Sequence, residues 1–135
     1  MVDEAAVLEP TFEVEMTEKL ARLEDATGVQ LVVVTTSGLK SQAVELYSVD
    51  LARAWGIGSD ERLDGLMVLV APQERQVRIE VGYGLEASVK DGEAAHIIRQ
   101  DMIPHFRNGD FESGVEAGVD RLIEEVTPVE VKQAS

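Results

Sequence analysis

The chain has no cysteine, which rules out a disulfide, a thiol nucleophile and a thiolate metal site and leaves the redox compartment unmarked. Basic residues are scarce, with 12 Lys and Arg against 26 Asp and Glu and a formal net charge of −14. Such a surface repels phosphate backbones and anionic lipid heads and attracts cations. Nucleic acid is therefore not an expected partner. The longest uninterrupted apolar run, Leu66 to Ala71, falls far short of the roughly 20 residues of a membrane helix. No basic-then-apolar signal opens the chain, so direct membrane insertion by this chain is not expected. His96 and His105 are the only histidines and have no third partner, which does not make a zinc centre. There is no GxSxG elbow or phosphate-binding loop, and hydroxyls such as Ser59 and Ser88 lack a histidine nearby in sequence.

What is present is a 135-residue chain, 44% hydrophobic, whose apolar residues come in periodic blocks. That is the size and pattern of one globular domain, expected over residues 1–126, with residues 127–135 a frayed tail. Apolar residues at near-helical spacing predict a first helix from Thr11, its N-cap, to Ala26, stopped by Gly28. Val29 to Thr36 is short, β-branched and nearly all apolar, as in a strand covered on both faces. A second helix follows from Val44 to Trp55, halted by Gly56 and Gly58. Tyr47, Leu51 and Trp55 share helical spacing, which reads as core packing, and Phe106 and Phe111 read the same way. Leu66 to Ala71 and Val77 to Val81 form a hairpin about Pro72–Gln76, and alternation along the later strand predicts an edge with one wet face. Asp91 is expected to cap a helix that Pro104 and Gly109 close, before a last helix from Phe111 to Val126. The fold class is α/β, a small mixed sheet containing a β-hairpin with helices packed on it.

Antiparallel pairing across the hairpin places Asp64 near Gly82 to Gly84. The Trp55-Gly56-Ile57-Gly58 corner leads into one hairpin strand, and Glu86 and Asp91 leave the other. Asp64, Glu86 and Asp91 would thus meet at one end of the sheet. Two carboxylates about 5 Å apart repel by roughly 3 kcal/mol at an effective dielectric near 20, so a close cluster needs a cation, a shared proton or hydration. Hard oxygen ligands favour calcium, with magnesium the other option. Taken singly, each residue has a plain structural reading: Asp64-Gly65 as a turn, Glu86 as a solvated side chain, Asp91 as a cap, and Gly82 and Gly84 as relief for a tight strand exit. Residues 60–65 imitate half an EF-hand, but Arg62 takes a ligand place and Ala71 stands where the closing Glu belongs. Gly82-Tyr83-Gly84-Leu85-Glu86-Ala87 spells GxGxxA, yet Glu80, Glu86 and Asp91 would repel a pyrophosphate. A right-handed crossover makes the first two predicted strands parallel and points their carboxyl ends, the usual ligand crevice, away from Asp64. The acidic end is preferred because the carboxyl ends offer mainly Thr35, Thr36, Ser37 and the hairpin turn.

Ala54-Trp55-Gly56-Ile57-Gly58, Asp64-Gly65, Val77 to Glu86 with its Gly-Tyr-Gly-Leu-Glu block, Asp91, Ile103-Pro104 and Phe106-Arg107-Asn108-Gly109-Asp110 follow one another in the order of a known pattern. With Val2-Asp3 and Thr27-Gly28-Val29-Gln30, they make the chain resemble a TPM domain over roughly residues 2–126. The resemblance implies a three-layer α/β/α sandwich, calcium binding in some members, an acid phosphatase activity reported for a plant member, and an extracytoplasmic (periplasmic or secreted) location. Members commonly carry Asp-Asn-Gly where this chain has Leu63-Asp64-Gly65, which removes one amide. They often have a signal peptide and a following membrane helix, and on that comparison an excised soluble domain is expected here.

The leading expectation is a calcium-binding module in which Asp64, Glu86 and Asp91 are the metal ligands, Trp55, Gly58, Gly82 and Gly84 shape the site, and the ordered loops serve a protein partner or the maintenance of membrane proteins. The enzymatic alternative is a weak metal-assisted acid phosphatase acting on phosphate monoesters, with a carboxylate as acid or base. Its catalytic residues are not named by the sequence, and Arg62 and Lys90 are the only nearby phosphate clamps. A third reading leaves the acidic cluster empty on a domain that docks onto another protein.

Overall fold

A strand that is apolar on both sides needs cover on both faces, and the architecture follows from that need. The computed structural model describes residues 1–56 and 65–127. Four strands, β1 (Val2–Asp3), β2 (Gln30–Thr35), β3 (Gly65–Ala71) and β4 (Gln76–Val81), lie in the order β1-β2-β3-β4. β2 runs parallel to β1 and β3, and β4 closes the hairpin antiparallel to β3. Every residue of β3 is buried. Five helices surround the sheet: α1 (Pro10–Thr27), α2 (Val44–Ala54), α3 (Asp91–Ile97), α4 (Ile103–Arg107) and α5 (Phe111–Val126).

Strand alternation sorts the side chains into two cores. Leu31, Val33, Leu66, Val68 and Ile79 pack with residues of α1 and α5 such as Leu20 and Val119. Val32, Val34, Met67 and Leu69 turn to the other face and meet α2 through Val44 and Ala52. The result is the expected three-layer α/β/α sandwich with a mixed sheet and a hairpin, and β4 is the edge strand that its alternation predicted.

Several local expectations change. α1 starts at Pro10, with Glu9 rather than Thr11 at the N-cap, because proline at the first helical position loses no helical hydrogen bond. Gly28 does terminate it, at φ 79° with its N–H on the Glu24 carbonyl. Lys90, not Asp91, is the N-cap of α3, and Asp91 falls in the first turn. There its negative charge still faces the positive end of the helix. Trp55 does not pack into the core and is 39% exposed. α2 ends at Ala54, and the non-helical backbone of Trp55 (φ −93°, ψ 0°) breaks the stripe begun by Tyr47 and Leu51; those two are packed against the α2-side core.

Pro104 does not stop its helix. A proline ring in a regular helix collides with the carbonyl four residues back, and here the preceding turn is widened to avoid it. Ile98–Met102 forms a π turn between α3 and α4, with the Ile103 N–H on the Ile98 carbonyl. The path ends only at Arg107, just before Gly109, whose φ is 77°. α5 then starts behind Asp110, which accepts the Ser113 N–H at 3.1 Å. Two glycines on α5 admit side chains from the antiparallel segment: a Cβ on Gly118 would lie 2.5 Å from Met102 Sδ, and one on Gly114 would overlap the Phe106 ring. The expected tail from Thr127 begins at the residue that ends α5, and residues 128–135 lie outside the described residues.

Candidate functional site

At the open end of the hairpin, the strand pairing that the sequence predicted is in place. Gly82 donates its N–H to the Gly65 carbonyl at 2.8 Å, one residue after Asp64. Beyond Gly82 the chain makes a 3-10 turn, Tyr83–Leu85, and the Val89 N–H bonds the Leu85 carbonyl at 2.8 Å. Leu85 and Val89 are buried in the core and anchor this turn, while Gly84, Glu86 and Asp91 are exposed. Asp64 and Gly58 lie outside the described residues. Carboxylate and carbonyl oxygens are the right donors for calcium or magnesium. Among the described residues no three His, Asp or Glu side chains gather to hold a metal, and Asp64, the third carboxylate expected at this end, is not among them.

The opposite end of the sheet, about 20 Å away along the strands, carries a polar network that sequence reasoning passed over. β2 ends in Thr35 and Thr36 follows it, both buried, and buried hydroxyls need partners. Thr35 Oγ1 donates to Asp3 Oδ1 at 2.6 Å and accepts the Ala5 N–H. The same carboxylate accepts the N–H groups of Val7 and Leu8 at 3.2 and 3.0 Å, so one side chain ties β1 and the turn behind it to β2. Thr36 Oγ1 lies 3.1 Å from the Tyr47 hydroxyl of α2. Glu4 Oε1 accepts from Thr36 Oγ1 and from both the amide and the hydroxyl of Ser37.

These bonds favour the ionised carboxylate, and Glu4 is held below the ordinary carboxylate range, first by the Ser37 amide, then by the Ser37 and Thr36 hydroxyls and the charge of Lys40. A depressed folded-state value means that the stabilisation is present above the unfolded value and is lost as pH falls through the folded one. Glu4→Gln is therefore expected to melt below the parent at pH 7, with the difference closing below about pH 4. Thermal melts from pH 3 to pH 7 check this, and a pH-independent difference would mean that Glu4 acts through packing alone.

The hairpin turn sits at this same end, with the Leu39 N–H on Glu74 Oε2 at 3.0 Å. Arg75 closes the turn, its N–H on the Pro72 carbonyl and its φ at 56°, a backbone state that glycine tolerates better. Beside the turn lies a cavity of about 700 Å³, within the usual range for ligand sites. Val70, Val77, Ile103, Phe106 and Phe111 supply its apolar lining, and Arg75 and Arg107 its charge. Phe106 and Phe111, expected in the core, pack partly against it and meet each other with ring centroids 5.4 Å apart. One signal pointed to this end, the crossover rule for parallel strands.

Among the described residues no helix is long and apolar enough to cross a membrane. A comparison with curated proteins returns no match. Among solved structures, the N-terminal domain of a protein from P. gingivalis is 35% identical, with a TM-score of 0.87 over 92% of this chain and 79% of that one. The N-terminal domain of the cg2496 protein of Corynebacterium glutamicum is 15% identical, with a TM-score of 0.71 over 93% of this chain and 78% of that one. The BA42 protein of Bizionia argentinensis is 16% identical, with a TM-score of 0.72 over 88% and 81%. These last two are likenesses of fold. The profile of the TPM domain matches residues 1–125, and the chain belongs to the TPM domain family.

Proposed function

We propose that this TPM domain is a divalent-cation-binding module, with calcium as the preferred ion, whose ordered loops serve a protein partner outside the cytoplasm. The observation that carries the reading is the bond from Gly82 N–H to the Gly65 carbonyl, which brings the residue after Asp64 to the start of the turn that displays Glu86. Leu85 and Val89 hold that turn in the core, so an ion would order the loops against a fixed frame. Asp64, Glu86 and Asp91 would supply the charged oxygens. The phosphatase alternative needs a cation beside these carboxylates to receive a phosphate. Lys90 is adjacent to Asp91 and Arg62 precedes Asp64 by two residues in the sequence, while Arg75 and Arg107 stand at the other end of the sheet; an end with so few cations among so many carboxylates favours binding over phosphoryl chemistry.

Thermal melts in EDTA, in calcium and in magnesium test the reading. A site of about 10 μM affinity contributes about 2.7 kcal/mol at about 1 mM calcium, or roughly 5 to 10 °C for a domain of this size. Asp64→Asn is expected to remove most of that shift, and the absence of a shift with either cation defeats the proposal. Phosphomonoester hydrolysis is measured on the same preparation. Activity that survives Asp64→Asn, Glu86→Gln and Asp91→Asn together would place any such chemistry elsewhere.

A further inference from the structure

The edge of the sheet that no described residue pairs with leads into the arginine-lined cavity. In an antiparallel pair, hydrogen-bonded and non-hydrogen-bonded positions alternate. The bond between Gly82 and Gly65, with Leu66 opposite Val81 and Ala71 opposite Gln76, turns the backbone groups of Gln76, Arg78 and Glu80 toward β3. Val77, Ile79 and Val81 turn theirs outward. β4 is the last strand of the sheet, and those three outward residues have no backbone hydrogen-bond partner among the described residues. Such a row is a template for a strand from another chain.

The two ends of that row differ in charge. Gln76 and Val77 line the cavity together with Arg75 and Arg107, and neither arginine has an ion pair among the described residues. The chain that leaves the far end of β4 carries Glu86 and Asp91. A strand laid antiparallel to β4 runs from the acidic end toward the cavity, so its carboxyl terminus arrives where the guanidinium groups are. Parallel addition would instead bring the carboxyl terminus toward the acidic residues, which repel it.

We propose that β4 binds the C-terminal segment of another polypeptide as an added antiparallel strand. The terminal carboxylate is held by Arg75 and Arg107, and the last side chain, an apolar one, enters the cavity between Val77, Ile103, Phe106 and Phe111. Main-chain pairing supplies affinity that is indifferent to sequence, and the cavity with its two guanidinium groups supplies the selection for a free, apolar-ended terminus. This surface needs no cation and does not rest on the calcium reading.

The test probes the full chain, in EDTA, against a random peptide array synthesised once with free C-terminal carboxylates and once as C-terminal amides. The expected result is binding to free acids with an apolar last residue and not to the matching amides. For the best peptide, measured in solution, Arg75→Gln and Arg107→Gln are each expected to weaken binding by about tenfold. The amides of Val77, Ile79 and Val81 are expected to gain hydrogen-exchange protection when it binds. Equal binding of acids and amides, no binder in either form, or affinity untouched by both arginine substitutions would overturn the proposal. So would protection of the same three amides that rises with protein concentration alone, because β4 would then pair with a second copy.

Discussion

Gly118→Val is expected to destabilise the domain by about 3 to 4 kcal/mol, roughly a 12 °C fall in melting temperature. Gly118 is buried, and even a single Cβ there would come within 2.5 Å of Met102 Sδ and 2.8 Å of its Cγ. Met102 is itself fully buried at the end of the π turn, so the thioether has little empty space to move into. Valine adds two methyl groups to that overlap and recovers little helix propensity, since its advantage over glycine in a helix is only about 0.4 kcal/mol. Met102→Ala alone removes core volume and is expected to cost about 3 kcal/mol. Combined with Gly118→Val it clears the overlap, and the double variant should melt well above the sum of the two losses. Strictly additive losses in a thermal double-mutant cycle would show that the contact does not set the approach of the two helices. The same approach at Gly114 positions Phe106, which lines the cavity, so packing on α5 reaches the shape of the proposed peptide pocket.

Asp3→Ala is expected to cost about 3 kcal/mol, or roughly 10 °C in melting temperature. The carboxylate accepts from the Thr35 hydroxyl and from the N–H groups of Val7 and Leu8. A hydrogen bond to a charged group is worth about 1.5 to 3 kcal/mol at best, and partial exposure at Asp3 reduces each of the three. The largest single part comes from Thr35, which is fully buried and would lose the acceptor of its proton. Asp3→Asn keeps an acceptor for Thr35 but turns an amide donor toward a backbone donor, so an intermediate loss is expected. Chemical denaturation of the three proteins measures the series. A loss below about 0.5 kcal/mol for Asp3→Ala would mean that the two residues of β1 are an ornament on the sheet rather than part of its cooperative unit.

The elements with a clear period are legible in the amino-acid sequence. Val29 to Thr36 and Leu66 to Ala71 are recognisable as covered strands because they are apolar on both faces, and both are covered. The helix from Phe111 to Val126 is legible to the residue, since its apolar stripe is long and Gly109-Asp110 marks its start. β1 is not legible as a strand: Val2-Asp3 stands in the family pattern with no strand assigned to it, because two residues have no period and are ordered through Asp3 and Thr35, far apart in the chain. Pro104 misleads because the usual rule assumes a regular helix, whereas a π turn stores the extra residue that makes room for the ring.

The candidate sites divide in the same way. Hairpin pairing is local, so turn length alone placed Asp64 near Gly82 to Gly84; the structure shows the adjoining bond from Gly82 to Gly65, and Asp64 itself lies outside the described residues. The cavity does not follow from spacing: Arg75 stands on a turn and Arg107 at the end of a helix, and they line one space because α4 and α5 pack beside the end of β3. Composition and periodicity were enough for an acidic α/β domain with a hairpin edge, since hydrophobic alternation and turn chemistry act between near neighbours, while the resemblance to the TPM family rested on the ordered Trp-Gly-Ile-Gly and Gly-Tyr-Gly-Leu-Glu blocks. The pairing of Met102 with Gly118, of Asp3 with Thr35, and of the two arginines around one cavity arose from the docking of separate elements, because contacts across a core depend on three-dimensional fit rather than on spacing along the chain.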